Sequence, residues 1–498
     1  MNFLKNLQKS LEINSRFNAF YINERHYTYL DLYECVSKIR GAIQKKVNKS
    51  EKLIGLVTND DIETYASILA IWFEGKAYVP VNPITPIARN KEVFSSTKVT
   101  IVIDSSKESD YVDYEVIDSV NLNNSKVEKV IKNVESSDLA YILFTSGSTG
   151  VPKGVPITYN NMESLVAAVD KDEHFNLLNT DKCLQMFELT FDFSVVAYLF
   201  PLLSGACIYT IPKNVIKYFH VFKLIKNHKL TVLTMVPSII NYLRPYFSEI
   251  NESSVRYCSF GGGALHSQIA KEWSSCLPNC QIFNYYGPTE FTVYSGYYLY
   301  NKKHNTKAHN GVVSIGKAHY GASYIIVNEN NQEEPIGVTG ELCLSGKQLT
   351  PGYWNNIERN KKSFFTLEKK GVNLKCYKTG DLCFKDDDGD FMYVGRSDFQ
   401  VKIRGYRVEL SEVEFHAKSI CNNKVNIIAL DVLNGLGNTE LALAIESEAF
   451  ETQTMLDYMK TKLPDYMIPH HIAFIASFPL SINGKYDRKE IKKYFKLS

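Results

Sequence analysis

The sequence predicts an α/β protein. A large N-terminal domain, residues 1–397, would hold helix-covered, mainly parallel sheets and a β-rich subdomain, and a small mobile α+β domain, residues 398–498, would follow. Three observations lead there. Short apolar runs alternate with longer helical patterns as far as residue 310, the order from which parallel sheets are built. From Gly311 onward, short strand patterns separated by turns take over, as in antiparallel structure. A chain of 498 residues also exceeds what a single core accommodates, so at least two domains are expected.

The elements follow in order. Residues 27–30 (Tyr-Thr-Tyr-Leu) read as a strand, leading into a helix with Leu32, Val36, Ile39 and Ile43 on one face. A strand at 53–57, an apolar helix at 62–73 ended by Gly75, and strands at 77–81 and 100–103 come next. Residues 104–137 are polar and irregular, with room for one short strand. Residues 141–144 form a buried strand, and 195–203 a very apolar helix. Strands at 231–235, 255–260 and 281–285 continue the alternation. The β-rich part holds strands at 324–327, 340–344 and 377–384. Beyond Asp398 a helix starts at Ser411, two strands cover 425–432 and 441–445, and a further helix and strand close the unit.

Composition excludes several classes. Hydrophobic residues at 45% and charged residues at 22% belong to an ordinary globular protein. A net charge of +2 gives no case for nucleic acid or an acidic membrane surface as a partner. No apolar run approaches the roughly 20 residues that span a bilayer, and residues 1–14 lack the apolar core of a signal peptide. The ten cysteines are scattered without zinc spacing, which points to reduced thiols and a cytoplasmic location.

Chemistry concentrates after the strands. Thr145-Ser146-Gly147-Ser148-Thr149-Gly150 and the following Lys153 and Gly154 combine hydroxyls, a lysine and turn-forming glycines. Such a loop suits phosphate, although it lacks the Walker spacing, and a plain Ser/Gly-rich turn is the other reading. Phe191-Asp192-Phe193-Ser194 places an acid before an apolar helix; Asp192 or Ser194 can cap that helix, and Asp192 can also oppose a ligand ammonium. Gly261, Gly262 and Gly263 end a strand and allow close backbone approach. Asn284-Tyr285-Tyr286-Gly287-Pro288-Thr289-Glu290 offers an aromatic for a base and a carboxylate for Mg²⁺, or a simple turn. Asp381, beside Gly380, suits a ribose diol or an Asx turn.

Taken together, these motifs resemble, in order and over nearly the whole chain, the adenylate-forming (AMP-binding) superfamily of acyl-CoA synthetases, luciferases and nonribosomal peptide synthetase adenylation domains. The match also takes in residues 75–80, 340–342, 395–414, 463–469 and Asn483-Gly484-Lys485-Tyr486-Asp487-Arg488. The Phe-Asp-x-Ser pattern is similar to the amino-acid-activating branch. Size and order resemble stand-alone members such as D-alanine–carrier-protein ligases.

The resemblance implies ATP and Mg²⁺ as cofactors. Thr145, Ser146, Gly147, Ser148, Thr149, Gly150 and Lys153 would hold the triphosphate. Asn284, Tyr285, Tyr286, Gly287, Pro288, Thr289, Asp381, Tyr393, Gly395 and Arg396 would hold the rest of the nucleotide. Glu290 would bind Mg²⁺, Asp398 would be the hinge, and Lys485 the catalytic bridge between substrate carboxylate and α-phosphate. Asp192 would take the substrate ammonium, with Phe193, Val196, Thr234, Ser259, Gly261, Tyr285, Val293 and Tyr294 around it. These neighbours are mainly neutral, which favours a small or medium neutral amino acid; D-alanine ligases carry a cysteine where Gly261 stands, so Gly261 is expected to open extra space. No carrier-type serine follows Lys485, so the implied acceptor is the phosphopantetheine of a separate carrier protein. An acyl- or aryl-CoA ligase and a non-catalytic nucleotide-binding scaffold are the alternatives.

Overall fold

The helix Ile62–Phe73 anchors the strands that lead to the candidate site. Every residue of it except Glu63 is buried, in keeping with its mostly apolar sequence. Asp61 caps it by accepting from the Thr64 amide, and Gly75, at φ +66°, turns the chain out of it. Arg40 and Glu74 form a buried ion pair at 2.7 Å that joins this helix to the preceding one, Tyr29–Lys46. Trp72 donates its indole N–H to the Ala140 carbonyl at 2.9 Å, fixing the helix on the strand Leu139–Thr145.

In the computed structural model, residues 1–123, 130–147, 151–213, 215–302, 306–421, 425–480 and 486–495 are described. They fall into two compact units. The first is Met1–Asn82, Phe94–Leu143 and Gly154–Ser397; the second is Pro83–Val93, Phe144–Lys153 and Asp398–Ser498.

A nine-stranded sheet dominates the first unit. Its order is Lys317–Ala318, Gly296–Tyr300, Gln281–Tyr286, Tyr257–Phe260, Val232–Met235, Lys182–Gln185, Cys207–Thr210, Asn18–Ile22 and Arg25–Thr28. The inner strands pair in parallel, while the strands at both margins run antiparallel. A six-stranded sheet contains Leu53–Val57, Ala77–Val81, Ile101–Asp104, Glu115–Asp118, Leu139–Thr145 and Lys153–Thr158. The β-rich part is a five-stranded antiparallel sheet built on the long strand Val372–Lys385. One apolar core runs through the unit, with Trp72, Trp273 and Tyr198 buried in it. In the second unit, the strands Asn426–Leu433, Thr439–Glu446 and His471–Ile475 form a sheet. The helices Leu410–Ile420 and Gln453–Lys460 contribute Val413, Ala417, Met455 and Met459 to its core. Among the described residues no helix is long and apolar enough to cross a membrane, and all ten cysteines are free.

The mainly parallel α/β design with a β-rich part matches the expected fold class. Several boundaries differ: the strand expected at 377–384 spans Val372–Lys385, the helix expected at 195–203 spans Phe193–Ser204, and the strand and helix near residue 28 divide differently. Residues 27–30 do not continue as a strand: the strand ends at Thr28 and the helix begins at Tyr29. Thr28 and Asp31 make a capping box, which starts the helix earlier than the apolar periodicity alone suggests.

Candidate functional site

The phosphate-loop candidate lies in the second unit. The buried strand Leu139–Thr145 delivers the chain into it. Ser146 Oγ donates to the Arg407 carbonyl at 2.8 Å and accepts from the Glu409 amide at 3.1 Å. The Gly147 N–H donates to Glu412 Oε2 at 3.0 Å, and Lys153 Nζ reaches Glu409 Oε1 at 2.8 Å. Glycine is required at 147, because a Cβ there would lie 1.8 Å from the Val151 carbonyl oxygen. Thr145 Oγ1 is buried without a hydrogen-bond partner among the described residues. Ser148, Thr149, Gly150 and Lys485 lie outside the described residues. Asp398, the expected hinge, opens this unit's long C-terminal segment, and its Oδ1 accepts from the Gln400 amide at 3.2 Å.

The nucleotide candidates of the first unit gather around one carboxylate. Tyr286 donates its hydroxyl to Asp381 Oδ2 at 2.5 Å. Arg396 approaches Asp381 Oδ1 at 2.6 Å and also donates to the Thr379 carbonyl at 3.1 Å. Strand register sets this up, since Asp381 pairs with Arg396 and Leu382 with Gly395 across the antiparallel ladder. Tyr393 pairs with Cys383 further along, and Gly395 leaves open space where a side chain would stand. Burial, and then the Asp381 charge, hold the Tyr286 phenol well above its usual pKa, so it remains a donor. Asn284 uses its amide on the Ser314 carbonyl at 2.8 Å, inside the sheet. Gly287 is needed because a Cβ there would come within 2.3 Å of Tyr294 Cα. Pro288 precedes the short 3₁₀ turn Thr289–Phe291.

Glu290 is fully buried in that turn, and its Oε1 accepts from the Tyr353 hydroxyl at 2.5 Å. As one hard-oxygen donor it fits Mg²⁺, which usually takes only one or two carboxylates and fills its shell with phosphates and water.

The substrate candidates surround Asp192. Asp192 precedes the helix Phe193–Ser204 but does not cap it: its backbone is already helical, at φ −61° and ψ −32°, and its side chain makes no capping hydrogen bond. The carboxylate instead accepts from Thr289 Oγ1 at 2.6 Å. Ser194 does not cap either, because it lies inside the helix with its hydroxyl buried and without a partner among the described residues. Thr289, expected on the nucleotide side, therefore uses its hydroxyl on the substrate candidate. Thr234 and Ser259 stand in register on neighbouring parallel strands, both buried.

Gly261 does not open space. The Phe193 ring fills it, with Cζ 2.7 Å from where a Cβ on residue 261 would sit. The Phe193 ring centroid lies 6.5 Å from that of Tyr285 and 6.4 Å from that of Tyr294, and those two tyrosines pack at 4.4 Å. Val196 and Val293 are buried in the same apolar core.

Several residues here left no trace in the sequence. Thr292 and Val293 adopt φ +52° and +76°, a left-handed conformation that β-branched residues rarely take. Such strain costs about 1–3 kcal/mol per residue and persists only where the surroundings impose it. Gln348 imposes it, donating to the Tyr294 and Thr292 carbonyls at 3.0 and 3.3 Å, while Thr292 Oγ1 donates back to the Gln348 carbonyl at 2.5 Å. A strained β-branched pair has no compositional signature; only the preceding Gly-Pro turn hinted at an unusual backbone.

His319 packs on Tyr294 at 5.6 Å. Its Nε2 is buried without a partner among the described residues, and burial pushes the ring pKa down to about 4. The folded protein therefore keeps this ring neutral, whereas the unfolded chain binds the proton at about pH 6.5. Stability from this group is complete above pH 6.5 and is lost as pH falls towards 4, by roughly 3 kcal/mol in full. His319→Gln is expected to flatten the fall in urea midpoint between pH 7 and pH 4.5; an unchanged slope would remove His319 from the acid sensitivity.

A sequence model of the AMP-binding enzyme family matches residues 7–354. Bacitracin synthase 3 of Bacillus licheniformis is 30% identical over 483 residues, covering 95% of this chain and 7% of that protein. Tyrocidine synthase 1 of Brevibacillus parabrevis is 29% identical over 484 residues, covering 95% of this chain and 43% of its own. The chain thus spans less than half the length of these relatives. In fold it is similar to the Vibrio cholerae adenylation domain AlmE, solved in complex with glycyl-adenosine-5'-phosphate (TM-score 0.85, 24% identity, 99% of this chain and 97% of that one). It is likewise similar to holo-PA1221, a protein containing adenylation and PCP domains (TM-score 0.86, 22% identity, 100% and 84%).

Proposed function

Because the chain belongs to the AMP-binding enzyme family, we propose that it activates a small neutral amino acid as the aminoacyl-AMP, releasing pyrophosphate, and passes it to the phosphopantetheine thiol of a separate carrier protein. The carrying observation is the buried Asp192 carboxylate, released from capping and turned to Thr289 beside a neutral aromatic wall. A buried carboxylate is favoured by a cation placed against it, and the ammonium of an amino acid is such a cation.

In the first step a substrate carboxylate oxygen attacks the α-phosphorus, and the bond to the β,γ-pyrophosphate breaks. Tyr286, Asp381 and Arg396 hold the adenosine end. Tyr286 and Arg396 take one oxygen of Asp381 each, and a carboxylate oxygen has capacity for two bonds, so a ribose diol can add to the set. Thr145, Ser146, Gly147 and Lys153 hold the phosphates, with Ser148, Thr149 and Gly150 assigned alongside them. Lys485 bridges the two reacting anions. Glu290 would hold Mg²⁺, which would offset the phosphate charge when bound. In the second step the thiol sulfur attacks the acyl carbonyl and AMP leaves. Residues 398–498 act as a lid turning about Asp398, which keeps water from the adenylate and then admits the thiol.

The wall of Phe193, Tyr285 and Tyr294 sets substrate size. Phe193 packed over Gly261 and Tyr285 packed on Tyr294 support a small side chain, as in glycine or alanine, over a branched or aromatic one. The glycyl-adenosine-5'-phosphate held by the Vibrio cholerae neighbour is in keeping with this size. Pyrophosphate exchange across L- and D-amino acids, aryl acids and fatty acids tests the reading. Glycine or alanine is expected to lead; an aryl or fatty acid in the lead would make the protein an acyl- or aryl-CoA ligase, and exchange with no acid at all would leave a nucleotide-binding scaffold. Phe193→Ala is expected to raise exchange with leucine-sized substrates about tenfold or more relative to glycine, since each methylene is worth about 10–200-fold in such pockets. An unchanged ranking would show that Phe193 does not limit size.

A further inference from the structure

Two glutamates of the second unit occupy donors that a nucleotide needs. The Gly147 N–H points to Glu412 Oε2 at 3.0 Å, and Arg89 holds Glu412 Oε1 at 2.8 Å. Lys153 Nζ lies 2.8 Å from Glu409 Oε1, which also accepts from the Gln400 side-chain amide. Ser146 Oγ closes the arrangement by accepting from the Glu409 backbone N–H at 3.1 Å. Both carboxylates are buried, Glu412 completely. A backbone N–H in a glycine turn, an ammonium and a guanidinium converging on buried oxyanions form the donor set that otherwise receives phosphate.

We propose that Glu409 and Glu412 are internal stand-ins for phosphate: their carboxylates fill the loop's anion positions until the triphosphate of a nucleotide displaces them. This rests on the reading that residues 145–153 bind nucleotide phosphates. Three consequences follow from the geometry. The Gly147 N–H and the Lys153 ammonium keep a partner without ligand, which a buried amide and ammonium require. Triphosphate entry must release Gly147 and Lys153 from carboxylates, so ATP binding is opposed by an internal competitor. A nucleotide without the β- and γ-phosphates meets no such competitor.

The discriminating measurement is direct binding of ATP, AMP and inorganic tripolyphosphate to the full chain, compared with Glu412→Gln and Glu412→Asp. Removing the charge while keeping the shape is expected to tighten ATP and tripolyphosphate on the order of tenfold, to leave AMP unchanged, and to be reversed by Glu412→Asp. Glu409→Gln is expected to act in the same direction through Lys153. Equal or weaker ATP binding by folded Glu412→Gln would overturn the stand-in role and reduce these pairs to ordinary buried ion pairs. Binding of ATP by neither protein would overturn the nucleotide reading of the loop together with the proposal.

Hydrogen exchange on the unaltered chain provides a test that needs no variant. Saturating ATP, but not AMP, is expected to raise exchange at the Glu409 amide, because displacing the Glu409 carboxylate from Lys153 draws that residue's backbone N–H away from its acceptor, Ser146 Oγ. Unchanged protection there under ATP would also overturn the proposal.

Discussion

Lys485→Ala is expected to lower amino-acid-dependent pyrophosphate exchange by about 10²–10³-fold, the scale of a lost electrostatic contribution to a transition state, while ATP binding is largely kept. The reaction brings a carboxylate against an α-phosphate, so negative charge accumulates where the new bond forms. A lysine bridging both anions is worth most at that moment and little in the ground state, which predicts a fall in kcat rather than a rise in the KM for ATP. The described residues on either side of this stretch, Leu480 and 486–488, are anchored. Leu480 and Tyr486 pair as an antiparallel bridge, and Asp487 caps the helix Arg488–Lys492. Arg488 is fixed to Glu414 and to the Ala429 carbonyl, both at 2.5 Å. A charge-preserving Lys485→Arg variant separates charge from reach: a planar guanidinium on a different stem restores electrostatics but not position. Exchange within a few-fold of the unaltered protein in Lys485→Ala would show that the reaction does not pass through this residue.

Much of the fold was legible because the decisive signals are local. The helix Ile62–Phe73 shows as an apolar run between an aspartate cap and a glycine, and its bounds agree with that pattern. The candidate loops were legible for a related reason: strands such as Leu139–Thr145 and Gln281–Tyr286 are apolar, so the polar residues beyond them stand out. The start of the helix at Tyr29 was also encoded, in the Thr28–Asp31 capping box, but periodicity masked it. Other features have no local signature. The space left by Gly261 is filled by Phe193, from a different element, so a missing side chain in sequence did not mean a cavity in space. The Gly147–Glu412 bond joins residues 265 positions apart, and nothing near either predicts the other. Asp192 looked like a helix cap because of where it stands; its side chain instead accepts from Thr289, 97 positions away in the chain.

That choice of partner underlies the second large effect. Asp192→Ala is expected to raise the amino-acid KM by about 10²-fold or more, with little change in the KM for ATP. Truncating one partner of a buried, hydrogen-bonded charge pair costs about 2–5 kcal/mol, and here the other partner is the substrate's own ammonium. The nucleotide contacts through Tyr286, Asp381 and Arg396 do not use Asp192, so ATP is unaffected. Asp192→Asn refines the result, because the amide oxygen still accepts from Thr289 Oγ1 while the charge is lost. If the ammonium is what Asp192 recognises, Asn and Ala variants lose similar amounts. A substrate analogue lacking the amine, such as propionate in place of alanine, then reacts equally poorly with the unaltered protein and both variants. If Asp192→Asn instead behaves like the unaltered protein, the carboxylate serves only to position Thr289, and the chain no longer reads as an amino-acid-activating enzyme.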